Sequence, residues 1–437
     1  MLCGVVAIVA YAAARQNVLM RHGNLVFPPW VSGPLHDIFR GLPINQRAIS
    51  VGFSLVLLVL LCAYGVLIIA VRQLSARTIV LAIVGLHAIV LLSPPLQLTD
   101  VYNYLGYARL GALHQLSPYT HVLRDELHDP VFRFSSWHNL HSPYGPLFTA
   151  LTYPLAFLPL AYAYWIVKVT TMVASLGLIA LVARCARQLG RDPRQAVALL
   201  ALNPIYVVYA MGGFHNDFFM LIPMLGAMSL LLERRDRSAG AVLMLAVAIK
   251  FTAVLLLPFL LLAARPAPRR RAVVIGAALG AIPLALLSLL LFGAHLPNLA
   301  DQSTLLTQFS IINLVGLLIG AGGGAPWLLR AAELGVVAAI LWLVRRREDW
   351  VTSAGWATLA LIVSLAWLMP WYVIWVLPLA GLGTSRRLRR VAVALSVYLV
   401  LTFMPITGAF IVYPHALSPL NTKVGHASLR LQAKLAG

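Results

Sequence analysis

The chain has 437 residues, 61% of them hydrophobic and 11% charged, and carries a formal net charge of +20. With a mean hydropathy of +0.87, this composition excludes an ordinary soluble domain and calls for an all-α, polytopic membrane protein. The basic excess also fails as a nucleic-acid footprint. Twenty of the 33 Lys/Arg fall in six short loops between apolar runs: Arg72 and Arg77, Arg184 to Arg194, Arg234 to Arg237, Arg265 to Arg271, Arg345 to Arg347, and Arg386 to Arg390. That is the positive-inside pattern, so these loops are expected to be cytoplasmic, with anionic headgroups as a secondary attraction.

In chain order, the apolar run Leu2 to Ala14 is short and has no basic region before it. It reads as a signal-like remnant or a clipped first span. The loop Arg15 to Arg47 is then outside, with Phe27-Pro28-Pro29-Trp30 at the interface. Ile49–Val71 runs inward and Thr78–Leu98 returns, which places the loop Thr99–Pro146 on the outer side. This loop holds four of the thirteen acidic residues and five of the twelve histidines, His114, His121, His128, His138 and His141. A long polar connection between membrane segments reads as the wall of a site.

The short run Leu147–Leu160 is expected to be interfacial or re-entrant, because Tyr162–Ala183 must end inside at Arg184. Ala196–Met211 goes out and Phe218–Leu232 returns, so residues 212–217 form a second outer motif, Gly-Gly-Phe-His-Asn-Asp. Only 239–264 separates two inside loops. It is too short for two spans, and the spacing predicts a bent hairpin of half-helices turning near Lys250. Ala272–Phe292 goes out, Gly293–Ala325 is an outer segment, Trp327–Val344 goes in and Val351–Leu368 goes out. Pro370–Gly383 returns and Val391–Tyr413 goes out, followed by a weakly amphipathic basic tail. The total is about 11–13 membrane segments in a single domain, residues 1–437, without internal repeats.

Several residues carry candidate chemistry. Asp100 follows a span directly, where it suits an N-cap; a carboxylate at the hydrocarbon edge also marks function. His215-Asn216-Asp217 is either a polar turn or a ligand contact, with glycines allowing close approach. Lys250 and Lys168 are the two lysines inside apolar runs. Lys168 is read as snorkelling, whereas Lys250 needs an anionic partner such as a phosphate. Ser142-Pro143-Tyr144-Gly145-Pro146 is a rigid turn opening a helix. The aromatics of Pro370–Trp375 fit an interfacial belt or a lipid or sugar groove. The loop histidines lack metal-ligand spacing, and Cys3, Cys62 and Cys185 supply no disulfide framework.

Asp100-Val101-Tyr102-Asn103-Tyr104, then Ser117-Pro118-Tyr119, Trp137 and Ser142-Pro143-Tyr144-Gly145-Pro146, resemble the first outer loop of polyprenol-phosphate-mannose-dependent mannosyltransferases. The nearest group is the bacterial alpha-1,6-mannosyltransferases of the GT-C superfamily. Asn203-Pro204, Gly213-Phe214-His215-Asn216-Asp217, Lys250 and Pro370-Trp371-Tyr372 match later landmarks in order, so the likeness runs from about Leu98 to Ala380. The resemblance implies a GT-C-like bundle in the cell (inner) membrane whose long first outer loop carries short amphipathic helices. It also implies a polyprenyl-phosphate sugar donor, a glycan or glycolipid acceptor on the extracytoplasmic side, and Asp100 as general base. Lys250, His215 and Arg109 are the expected phosphate contacts. Asn216, Asp217, Tyr104, Trp137, His141, Tyr144, Trp371 and Tyr372 are the expected acceptor or sugar contacts. A single aspartate stands where some relatives have paired acids, so neither metal nor cofactor is expected. The alternatives are a lipid-linked sugar flippase or transporter, and a GT-C transferase for another sugar.

Overall fold

A chain in hydrocarbon must satisfy its backbone hydrogen bonds within itself, which leaves helices as the economical solution for apolar runs such as these. A computed structural model of the chain describes residues 1–14, 29–36, 45–96, 100–297, 305–307, 309–346, 349–407 and 423–436, and all regular structure among them is helical. The expected interfacial Phe27-Pro28 and the boundary residue Thr99 lie outside the described residues.

The helices are α1 (Leu2–Ala14), α2 (Gln46–Ala70), α3 (Ala76–Leu92), α4 (Val101–Ala112), α5 (Pro146–Thr152), α6 (Leu160–Gln188) and α7 (Pro193–Ala201). After these come α8 (Asp217–Leu232), α9 (Asp236–Ile249), α10 (Leu257–Ala263), α11 (Ala267–Phe292), α12 (Ile311–Leu318), α13 (Pro326–Arg346) and α14 (Trp350–Ser364). The last are α15 (Leu377–Leu382), α16 (Arg386–Phe403) and α17 (Lys423–Ala436). Side-chain caps mark several starts: Asn45 accepts from the Ala48 amide, Ser75 from Thr78 and Ser385 from Leu388.

Among the described residues, four helices are long and apolar enough to cross a membrane: 47–73, 160–188, 267–292 and 326–346. The bent pair 193–201 and 205–211 makes a fifth, and shorter apolar helices cover Leu2–Ala13, Ala76–Leu92, Pro146–Phe157, Asp217–Leu232, Phe251–Ala263, Trp350–Ser364 and Pro370–Leu382. The long helices expose apolar side chains, Ile69 at 86% and Leu290 at 82%. Exposure on that scale belongs in lipid, not water.

Pro204 breaks the bent pair. It has no N–H to donate, and the chain turns by 52° there. Asn203, fully buried, repairs the break by accepting from the Ile205 amide at 2.9 Å and donating to Ser396 at 3.0 Å. The following turn, Ile205–Met211, is π-helical, a widening often found beside functional sites.

The hairpin expected at 239–264 is present in outline. α9 ends at Ile249, Lys250 is extended (φ −153°, ψ 117°), and a 3₁₀ segment, Phe251–Leu256, leads into α10. Arg269, just inside α11, binds Asp236 at the start of α9 and the Leu231 carbonyl. Both arms therefore end at one face, and Lys250 is the tip at the other. α9 packs against α8 and α11. Its approach to α11 is close enough that a Cβ on Gly276 would sit 1.9 Å from the Arg237 carbonyl oxygen, the small-residue packing common between membrane helices.

The basic loops meet at one end of the bundle. Arg194 donates to the Leu74 carbonyl at 3.1 Å, Arg191 pairs with Asp349 at 3.5 Å, and Asp349 accepts from the Thr384 amide at 2.9 Å. Arg184 pairs with Glu233. Helices α8 and α9 run from this end to Asp217 and Lys250, so these polar residues gather at the opposite end.

Candidate functional site

Helix α4 sets the first wall. Asp100, Asn103 and Tyr107 follow one another at helical spacing, and all three line a cleft of about 780 Å³, its open mouth included. Asp100 makes no side-chain cap for α4, so the capping reading is overturned. Its carboxylate is 19% exposed and lies 3.5 Å from His215 Nδ1.

The second wall is 212–217. Phe214 adopts φ +56°, a conformation that costs an L-residue about 1–2 kcal/mol. Its ring is fully buried and lies edge-on to Tyr164. Packing of that completeness outweighs the strain and fixes the next three residues. The Asn216 amide donates to the Tyr104 hydroxyl at 3.1 Å. His215 stacks on Trp371 with centroids 3.6 Å apart.

The third wall is the hairpin tip. Lys250 Nζ donates to Asp217 Oδ1 at 2.7 Å, and the Trp375 indole N–H donates to the same oxygen at 2.6 Å. The ammonium also faces the Tyr372 and Trp375 rings at 5.0 and 4.7 Å. Asp217 is 1% exposed, and its Oδ2, the His215 Nε2 and the Asn216 Nδ2 have no protein partner among the described residues. Buried polar atoms are rarely left this way unless a ligand or water completes them.

The long loop closes the cleft. Tyr107 donates to the Leu140 carbonyl, and the Asn103 side chain holds the backbone at Ser136 and Trp137. The Gly145 amide donates to the Ile249 carbonyl at 3.1 Å. A Cβ on Gly145 would lie 2.2 Å from the Ala248 oxygen, so only glycine lets the loop reach the hairpin this closely. Helix α17 backs the same wall: the Asn139 amide donates to the Leu435 carbonyl at 2.9 Å, and Leu435 packs with Leu140 and Leu305.

Of the residues named from sequence, Asp100, Asn216, Asp217, Lys250, Trp137, Tyr144, Trp371 and Tyr372 line the cleft. Four do not. Arg109 is held elsewhere, with its Nε 2.9 Å from both oxygens of Asp129 and its Nη1 donating to the Ala156 carbonyl. His114 joins the same carboxylate at 2.9 Å. Burial raises the Asp129 pKa, but His114, the Val131 amide and Arg109 together hold it below the usual aspartate value. Arg109 thus folds the loop. His215 stands behind Asp100 and Trp371, Tyr104 sits beneath Asn216, and His141 is also outside the lining. Among the cleft residues not named from sequence, Asn103 and Tyr107 were findable by their spacing from Asp100, whereas Leu305 and Trp367 give no local signal.

Lys168 does not snorkel. It is fully buried, bonded to the Ser93 carbonyl and set against Trp165 and Phe214 at 4.5 and 5.3 Å. A second, largely apolar groove of about 1290 Å³ adjoins the cleft. It runs between the hairpin, α13 and α14, and shares Pro143, Lys250, Trp367 and Tyr372 with it. Among the described residues there is no cluster of three or more metal-ligating side chains.

Alpha-(1->6)-mannopyranosyltransferase A of Mycobacterium tuberculosis is 28% identical over 358 residues, which cover 72% of this chain and 67% of that protein. The B protein of Corynebacterium glutamicum is 24% identical, over 67% of this chain and 56% of that protein. A Mycolicibacterium smegmatis protein named a probable alpha-(1->6)-mannopyranosyltransferase is 26% identical, over 70% of this chain and 65% of its own length. No solved structure matches. Residues 326–426 match the MptB C-terminal domain. Residues 2–266 match the N-terminal domain of the alpha-(1->6)-mannopyranosyltransferases, and the chain belongs to that family of multi-pass membrane proteins.

Proposed function

We propose that the chain transfers mannose from a polyprenyl-phosphate donor to a hydroxyl of a glycan or glycolipid acceptor, on the extracytoplasmic side of the cell membrane. The observation that carries this reading is Lys250, the cation common to a polar cleft and an apolar groove. A donor whose phosphate rests on Lys250 has its prenyl chain in the groove and its sugar in the cleft beside Asp100. The cleft-facing rings of Tyr144, Trp371 and Tyr372 suit the apolar faces of sugar rings.

Asp100 takes the proton of the acceptor hydroxyl as that oxygen bonds the anomeric carbon. The bond from this carbon to the phosphate oxygen breaks in the same displacement, and the lipid phosphate leaves with the electron pair. A β-linked donor gives an α product by this single inversion. His215, 3.5 Å from Asp100 and clamped on Trp371, orients the carboxylate. Lys250 stabilises the charge that develops on the phosphate in a site poor in water. The mechanism calls for no metal ion.

The test is transfer from labelled polyprenyl-phosphate mannose to a short mannoside by purified protein in liposomes. Asp100→Asn is expected to reduce turnover by at least about 10²-fold with membrane insertion unchanged. Turnover at the wild-type rate removes Asp100 from the mechanism. Movement of intact donor across the bilayer without transfer supports the flippase reading.

A further inference from the structure

The bundle carries a third groove at the arginine-rich end, remote from Asp100 and Lys250. It lies between α10, α11 and α13 and encloses about 1380 Å³, its open side included. Its apolar walls come from Leu261 and Leu262 on α10 and from Val274 and Ile275 on α11, the last two 53% and 46% exposed. Four arginines, Arg265, Arg270, Arg271 and Arg345, stand on its rim, and no carboxylate lines it. Arg270 donates its Nε to the Leu261 carbonyl at 3.1 Å, which points the fork from the groove wall. Arg265, Arg271 and Arg345 make no ion pair among the described residues. On the same face Arg184, Arg191, Arg194 and Arg269 pair with Asp or Glu, so what sets this groove apart is that its four arginines share one apolar floor with no carboxylate in the lining.

We propose that this groove is a binding site for one anionic phospholipid of the leaflet at the arginine-rich end. The phosphate and any further headgroup charge meet the four guanidinium groups, and the acyl chains lie on the Leu261–Ile275 surface. The argument is charge complementarity. A cluster of unpaired arginines repels itself unless an anion lies among them, and an apolar floor at membrane depth selects an anion that carries chains. A free phosphate ion satisfies the arginines but leaves the floor uncovered.

The test uses the full-length protein in nanodiscs of phosphatidylcholine with a minority of phosphatidylglycerol, and native mass spectrometry to count retained lipid. The wild type is expected to retain one phosphatidylglycerol in preference to phosphatidylcholine. The triple variant Arg265→Gln/Arg271→Gln/Arg345→Gln should lose that preference by about tenfold or more. Val274→Trp, which fills the floor without changing charge, should lose it too. Arg386→Gln/Arg387→Gln/Arg390→Gln, an equal loss of charge elsewhere on the face, should keep it. Equal retention of both lipids by the wild type, an unchanged Val274→Trp, or loss in the Arg386 series overturns the proposal. Displacement of the lipid by inorganic phosphate alone would show an ion site and overturn it as well.

Discussion

Replacing Lys250 by methionine keeps most of the side chain's bulk and removes its charge. Asp217 is then a carboxylate 1% exposed to solvent, left with the Trp375 indole as its one side-chain donor among the described residues. Removing one member of a buried ion pair costs about 3–5 kcal/mol. Lys250 itself is 23% exposed, so water enters part of the gap and the lower figure applies, about 3 kcal/mol. The companion Lys250→Met/Asp217→Asn removes the stranded charge and should recover about 2 kcal/mol of that loss, within the range measured for coupled neighbours. Transfer activity should behave differently. Both variants lack the cation proposed to face the departing phosphate, and both should be slower by about 10²–10³-fold. The assay is thermal unfolding in detergent beside mannosyl transfer on the same preparation. A double variant that regains activity together with stability would refute the reasoning, because Lys250 would then serve only to neutralise Asp217.

Three further outcomes are expected. The folded-state pKa of Asp129 is depressed, so its contribution is present above the ordinary aspartate value of 3.8 and is lost as pH falls through the lower folded value. Asp129→Asn should therefore be less stable than wild type at neutral pH, with the gap closing below that value in pH-resolved unfolding. Gly145→Val should weaken the loop-to-hairpin contact, because even a Cβ lies 2.2 Å from the Ala248 oxygen; a raised acceptor KM and faster proteolysis of the loop are the readouts. Lys168→Met should lower kcat with little change in donor KM, because Lys168 touches the Phe214 ring and no part of the cleft, and unchanged kinetics would reduce it to a core residue.

Much of the site was legible because its residues are costly where they stand. A carboxylate at position 100, a lysine inside an apolar run and an Asn-Asp pair behind two glycines each conflict with a hydrocarbon neighbourhood, and the three came together. The hairpin was legible from length alone, since 26 residues between two basic loops cannot cross twice. Arg109 misled because a cation beside a polar site looks like a phosphate ligand until its partner is known, and Asp129 lies 20 positions away. Lys168 misled because its nearness to a helix end says nothing of which face of α6 meets α3.

Composition and the placement of arginines determined, without any coordinates, that this chain is a helical membrane protein with its basic loops at one end and its polar motifs, Asp100 and residues 212–217, at the other. Those properties are local and additive: each run must match the bilayer, and each charge must find water or headgroups. The pairings within the site were decided by tertiary structure, because they depend on which helix faces meet. Trp375 reaches Asp217 across 158 positions, and Asn139 reaches Lys434 across 295. No period or spacing in a single strand of sequence encodes contacts that close-packed helices create only when they dock.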